Sequence, residues 1–176
     1  MKVLTVVGAR PQFIKAAVVS RELRKLHQEV LLHTGQHYDY NMSDVFFEEL
    51  DIPKPDYNLG ISGGSHGKMT GEMLIKIEEV LLKEKPDMML VYGDTNSTMA
   101  GALAAVKLNI PVCHVEAGAR LGTLTNPEEV NRITTDNVSS ILACCTASAV
   151  EFLRKEGKTK NFYLVGHPMF DAFEFY

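Results

Sequence analysis

The sequence predicts an α/β domain built on a doubly wound parallel sheet, Rossmann-like in plan. Three observations predict it. Short runs rich in Val, Leu and Ile alternate with longer stretches of helical periodicity, the pattern of successive βαβ units. The runs are continuously apolar, as strands covered on both faces must be. The chain has 176 residues and is 45% apolar, enough for the core of one such domain and too little for two.

Strands are expected over residues 3–7, 30–33, 88–92, 112–116, 141–146 and 162–165. Helices are expected over 12–26, 68–83, 97–108, 127–136 and 147–157, with a short one over 43–50. The 68–83 helix has the clearest periodicity: Met69, Met73, Ile77, Val80 and Leu81 share one face, with Lys and Glu opposite. Residues 51–67 read as one long irregular loop holding prolines and glycines, a length that favours a functional role.

Composition excludes several classes. A net charge of −4 argues against a broad basic surface for nucleic acid. No run of 18 apolar residues exists, so no membrane span is expected. The apolar stretch after Met1-Lys2 is too short for a signal peptide and reads as the first strand. Cys113, Cys144 and Cys145 form an odd set without metal-ligand spacing, which suits small buried residues in a reducing, cytoplasmic compartment. Neither a metal nor another cofactor is expected.

Open parallel sheets bind ligands at the carboxyl ends of their strands, beside a topological switch point. The residues after each strand therefore carry the functional signal. They are Gly8-Ala9-Arg10-Pro11, Thr34-Gly35-Gln36-His37, Gly93-Asp94-Thr95-Asn96 and Glu116-Ala117-Gly118. The first is not G-x-G-x-x-G, which disfavours a dinucleotide site. A helix beginning at Pro11 or Gln12 would still offer amide donors to an anion, with Arg10 adding a bidentate contact. An exposed Arg in an ordinary βα turn is the alternative. His37 reads equally well as a surface or capping histidine. His33 and His114 lie within apolar strands and read as hydrogen-bonded core residues, and Ser65 reads as a cap beside His66.

Asp94 and Glu116 are one βαβ unit apart, each at the end of its strand. If the two strands are neighbours, roughly 4.8 Å apart, both carboxylates can face one ligand and share acid–base work. Asp94 as a helix N-cap and Glu116 as a buried structural acid are the competing readings. Asn126-Pro127-Glu128-Glu129 reads as a helix start, with Glu129 at the capping-box position and Glu128 left as a third acid.

Five stretches taken together resemble the non-hydrolysing UDP-N-acetylglucosamine 2-epimerases. They are Met-Lys-Val-Leu-Thr-Val-Val-Gly-Ala-Arg-Pro, Thr-Gly-Gln-His-Tyr-Asp, Val-Tyr-Gly-Asp-Thr-Asn-Ser-Thr, His-Val-Glu-Ala-Gly-Ala-Arg and Asn-Pro-Glu-Glu-Val-Asn-Arg. The resemblance implies one half of a two-domain GT-B-type architecture. Residues 1–167 would be the N-terminal domain and 168–176 the start of the connection to a second domain. It implies conversion of UDP-N-acetylglucosamine to its manno epimer by UDP elimination and re-addition through a 2-acetamidoglucal, with the half expected to be inactive alone. By motif match, Asp94, Glu116 and Glu128 are the catalytic carboxylates and Arg10 the phosphate-side arginine. Gln36 and His37 match residues that contact a second, regulatory UDP-sugar. Arg120, Asn131 and Arg132 fall in substrate-binding motifs. The expected partners are the UDP-sugar, the second domain and a second copy in a homodimer.

The sequence departs from the family pattern at four places: Ala119 replaces Leu, Leu121-Gly122 replaces a more polar or aromatic pair, Gly166-His167 replaces Gly-Asp or Gly-Asn, and Gly63-Gly64-Ser65-His66-Gly67 lacks the basic residue of the regulatory site. The stretch Tyr38 to Phe47 and the Gly-Ser-His-Gly at 64–67 also resemble epimerases of UDP-2,3-diacetamido-2,3-dideoxyglucuronic acid. That substrate is one alternative. A GT-B glycosyltransferase half-domain is the other.

Overall fold

The computed structural model describes residues 1–36 and 54–176. His37 and the helix expected over 43–50 lie outside the described residues. The strands are β1 (Lys2–Val7), β2 (Gln28–His33), β3 (Tyr57–Asn58), β4 (Met88–Tyr92), β5 (Val112–Val115), β6 (Ile141–Cys144) and β7 (Phe162–Leu164). The described helices are α1 (Arg10–Leu26), α2 (His66–Glu84), α3 (Asn96–Lys107), α4 (Pro127–Val138), α5 (Ala147–Lys155) and α6 (Pro168–Phe175).

All seven strands join one parallel sheet in the order β3-β2-β1-β4-β5-β6-β7. This is the doubly wound arrangement the sequence predicts. The chain winds outward through β2 and β3, then returns to the other side of β1 with β4. The switch point therefore lies between the ends of β1 and β4, which open into Gly8-Ala9-Arg10 and Gly93-Asp94.

Both sheet faces are buried, which explains the unbroken apolar runs. Leu4, Val6, Leu32, Met89 and Val91 pack under Met73, Ile77 and Leu81 of α2 and the Ala-rich face of α3. Val3, Val7, Leu31, Leu90 and Tyr92 pack against Phe13, Ala16 and Ala17 of α1 on the other face. In α3, Gly101 lies against Val6 and Val91, where an added Cβ would come within 3.3 Å of Val91. The small side chains let this helix sit close to the sheet.

Four elements differ from expectation. Residues 57–58 form a short edge strand inside the stretch read as irregular. Strand β5 stops at Val115 because Glu116 adopts a φ of 70°, which no extended strand permits. Strand β6 stops at Cys144, and Thr146 caps α5 by accepting from the Ala149 N–H at 3.2 Å. Residues 168–175 form a helix that packs on α1, with the Arg21 guanidinium 3.4 Å from the centre of the Phe175 ring. Its start signal was present in His167-Pro168, a capping residue followed by Pro at the first helical position.

Candidate active site

The switch point has a rigid polar floor. Gln12, 2% exposed, accepts from the Gly8 and Ala9 N–H groups at 2.7 and 3.0 Å. Its amide nitrogen lies 2.7 Å from the Tyr92 carbonyl and 2.9 Å from the Thr98 hydroxyl. One side chain thus ties the β1–α1 turn to the β4–α3 turn. It also occupies the Gly8 and Ala9 amides of the turn that precedes α1. Beside it, Gln36 accepts from the Ser97 amide at 3.0 Å and from its hydroxyl at 2.7 Å, linking the end of β2 to the start of α3. Gly8 is obligatory here: a Cβ would lie 2.2 Å from the Ser97 oxygen and 2.3 Å from that of Thr34.

Asp94 is not the cap of α3. That role falls to Thr95, whose hydroxyl accepts from the Thr98 N–H at 3.3 Å. The Asp94 carboxylate instead bonds one guanidinium nitrogen of Arg132. The other guanidinium nitrogen donates to Glu129 at 2.6 Å. Asn131 donates to the Asp94 carbonyl at 2.9 Å and to the Asn96 side chain at 3.1 Å. Two residues that α4 brings to the end of β4, Asn131 and Arg132, therefore fix the Asp94 turn. Glu129 makes no capping box. Its buried carboxylate accepts from the Leu121 and Gly122 N–H groups at 2.9 and 3.0 Å, and the cap is Asn126, which accepts from the Glu128 N–H at 2.9 Å. Burial opposes ionisation of Glu129, but these amides and Arg132 hold it below the usual carboxylate range.

Strands β4 and β5 are hydrogen-bonded neighbours, so Glu116 sits beside Gly93-Asp94. A Cβ on Gly93 would lie 3.1 Å from a Glu116 carboxylate oxygen, and Gly93 has a φ of 65°. The same Glu116 oxygen, Oε2, is paired with Lys15 of α1, whose side chain is 10% exposed. Its other oxygen, Oε1, lies 3.3 Å from His167 Nε2. Glu116 holds a left-handed backbone conformation without being glycine, a strained geometry that clusters at functional sites.

Among the described residues, Glu116, Cys145 and His167 place one donor atom each within 4.8 Å of one another. Their chemistry suits hydrogen bonding better than a cation. His167 Nδ1 accepts from the Met169 N–H at 3.2 Å, so its ring proton sits on Nε2, the atom that faces Glu116. Lys15 already provides a positive charge. Burial pushes the Cys145 thiol up to about 11, so beside Glu116 it stands as a thiol.

The other expected residues are dispersed. Arg120 donates to Asp136 at 2.7 Å and grips Glu156 with two bonds of 2.6 Å, so its side chain clamps α4 to α5. Asp136 also meets His114 Nδ1 at 2.7 Å, and His114 Nε2 lies 2.7 Å from the Gly93 carbonyl. Burial opposes the ionised form of Asp136, while His114 and Arg120 hold it below the usual range. Glu128 is exposed on the first turn of α4, and Arg10 is exposed as the first residue of α1.

Sequence reasoning missed Lys15, Gln12, Asp136 and His167. Lys15 and Gln12 were legible as polar residues embedded in the buried face of α1 among Phe13, Ala16 and Ala17. Asp136 gave no local sign, because its partners come from β5 and the following loop.

A family model described as UDP-N-acetylglucosamine 2-epimerase matches residues 21–176. A UDP-N-acetylglucosamine 2-epimerase homolog of Methanococcus maripaludis is 58% identical over 98% of the chain and 48% of its own length. The UDP-2,3-diacetamido-2,3-dideoxy-D-glucuronate 2-epimerase of Pseudomonas aeruginosa is 56% identical over 100% of the chain and 51% of its own. A crystal structure of the Methanocaldococcus jannaschii UDP-GlcNAc 2-epimerase, in complex with UDP-GlcNAc and UDP, superposes with a TM-score of 0.95 at 49% identity. It does so over 98% of this chain and 48% of that one. The chain thus spans about half the length of the relatives it matches.

Proposed function

The chain belongs to the UDP-N-acetylglucosamine 2-epimerase family, and from that premise we propose that it carries the acid–base half of a UDP-sugar 2-epimerase. One observation supports this reading above the others: Asp94 and Glu116 end adjacent parallel strands beside the switch point, each gripped by a cation from a neighbouring helix. Inversion at C2 needs one group to take the proton from that carbon and another to return it on the opposite face. UDP leaves C1 as the C2 proton is removed, giving a 2-acetamidoglucal. Re-addition of UDP to C1 and a proton to C2 completes the inversion. Asp94, Glu116 and Glu128 are the proposed acids and bases.

In this reading Arg10 meets the pyrophosphate from the start of α1. Gln36 and His37 are assigned by motif match to contact with a second, regulatory UDP-sugar, and Asn131 and Arg132 act by fixing Asp94. Arg120, committed to Asp136 and Glu156, serves the frame around the site. The remaining nucleotide contacts come from a second domain, with residues 1–167 as the first and 168–176 leading toward it. Three free cysteines accord with a reducing cytoplasm, where such an enzyme supplies sugar nucleotides for cell-surface polysaccharide.

The substrate is proposed to be UDP-N-acetylglucosamine. Similarity to the Pseudomonas enzyme favours UDP-2,3-diacetamido-2,3-dideoxyglucuronate as a second reading. Incubation with each UDP-sugar in deuterated water decides between them, using the chain alone and together with the second half of a relative. Deuterium at C2 only in the combined sample supports the reading. No exchange in either sample, with sugar transfer to an added acceptor, would replace it with a glycosyltransferase.

A further inference from the structure

His167 stands at the meeting of three elements. It caps α6, which packs on α1. From α1, Lys15 reaches Glu116 at the end of β5, and His167 faces the same carboxylate. Lys15 pairs with Oε2, and His167 Nε2 lies 3.3 Å from Oε1, so the two oxygens of the Glu116 carboxylate are approached from two different elements.

The capping bond decides which nitrogen can do this. The Met169 N–H donates to Nδ1 at 3.2 Å, so Nδ1 must present its lone pair, and the proton of the neutral ring belongs on Nε2. That is the atom 3.3 Å from Glu116 Oε1. A helix cap thereby selects the tautomer able to donate to a candidate catalytic carboxylate. Asp or Asn, which the resembled family carries at this position, is shorter and has no second ring nitrogen to offer.

We propose that His167 is a positioning residue for Glu116, held by its bond to Met169 in the Nε2–H tautomer and orienting the carboxylate against Lys15 for proton transfer at C2. The catalytic part of this rests on the epimerase reading; the tautomer does not. Glu116 lies in a strained backbone conformation, and a carboxylate free to rotate there would spend less time aligned with the C2–H bond. Small misplacements of a reacting group are costly in rate.

Two variants separate the cap from the contact. His167→Ser keeps a side-chain acceptor for the Met169 N–H but cannot reach Glu116. His167→Ala loses both. In the full-length protein, His167→Ser is expected to melt near the wild-type temperature while kcat for C2 exchange falls roughly tenfold or more with KM little changed. His167→Ala is expected to lose thermal stability as well. Wild-type kcat in His167→Ser would overturn the proposal. A two-bond 1H–15N spectrum of the chain gives the second readout, in which the His167 ring is expected in the Nε2–H form. An Nδ1–H ring would overturn the proposal even if no epimerase activity were found. A wild-type protein with an Nε2–H ring but no exchange would count against the epimerase reading and, with it, the catalytic part of this one.

Discussion

Arg132, on the second turn of α4, bonds the carboxylate of Asp94 at the end of β4, across a separation of 38 residues. The same guanidinium holds Glu129, which is 1% exposed. Removing it would strand a buried carboxylate and release the Asp94 turn together. Arg132→Ala is therefore expected to cost about 3 kcal/mol or more in chemical denaturation. Arg132→Lys should recover only part of this, because a point charge cannot serve two carboxylates as a planar fork does. A melting curve unchanged in either variant would remove Arg132 from this role.

The three proposed acids should separate by stability as well as by rate. Asp94→Asn and Glu116→Gln in the full-length enzyme are expected to lower C2 exchange by a factor of about 10² or more. Glu116→Gln also takes the charge partner from Lys15, so its midpoint of unfolding should drop. Glu128 is exposed, and Glu128→Gln should reduce exchange while leaving the midpoint within about 0.5 kcal/mol of wild type. Near-normal exchange in any of the three sets that residue aside.

Exchange is expected to survive exhaustive chelation. The one convergent donor set among the described residues, Glu116 with Cys145 and His167, is committed to Lys15 and to the Met169 N–H. Activity lost on treatment with EDTA and restored by a divalent ion would contradict this.

His33 is 1% exposed, and burial lowers its pKa from the usual value, against the opposing effect of a hydrogen bond to Asn58. The unfolded chain then binds a proton that the folded chain resists, so the unfolded state gains as pH falls below about 6.5. Stability should be full above that pH and decline through the window beneath it. Thermal midpoints measured at about pH 7.5 and about pH 5.5 should differ, and His33→Gln should flatten the difference. The lowered carboxylates Asp136 and Glu129 act at more acid pH and do not blur this window. Equal slopes in the two proteins would acquit His33.

Lys85 ends α2 with a φ of 48°, a left-handed position that suits glycine. Lys85→Gly is expected to stabilise the fold by roughly 0.5–1 kcal/mol, since the αL penalty of a side chain exceeds the entropy glycine adds to the unfolded chain. A lower unfolding midpoint would mean that the Lys85 side chain contributes more than its backbone costs.

The sequence by itself determined the sheet, because continuous apolar runs can be buried only between two helical layers. It also located Asp94 and Glu116 at strand ends, since that placement follows from where each run stops. Their neighbourhood as a pair depended on strand order, which the tertiary structure decided by setting β4 beside both β1 and β5. Local pattern gave Glu129 to a capping box, and the family resemblance gave Arg120 to the substrate. In the fold, Glu129 holds the loop that precedes α4, and Arg120 clamps two helices. Lys15, Glu116 and His167 lie on three separate elements, and their meeting is invisible to any short window of sequence. Periodicity tells which face of an element is buried; which charged groups meet across that face is settled only when the elements pack, because ion pairs and hydrogen bonds act over a few ångströms in space whatever their separation along the chain.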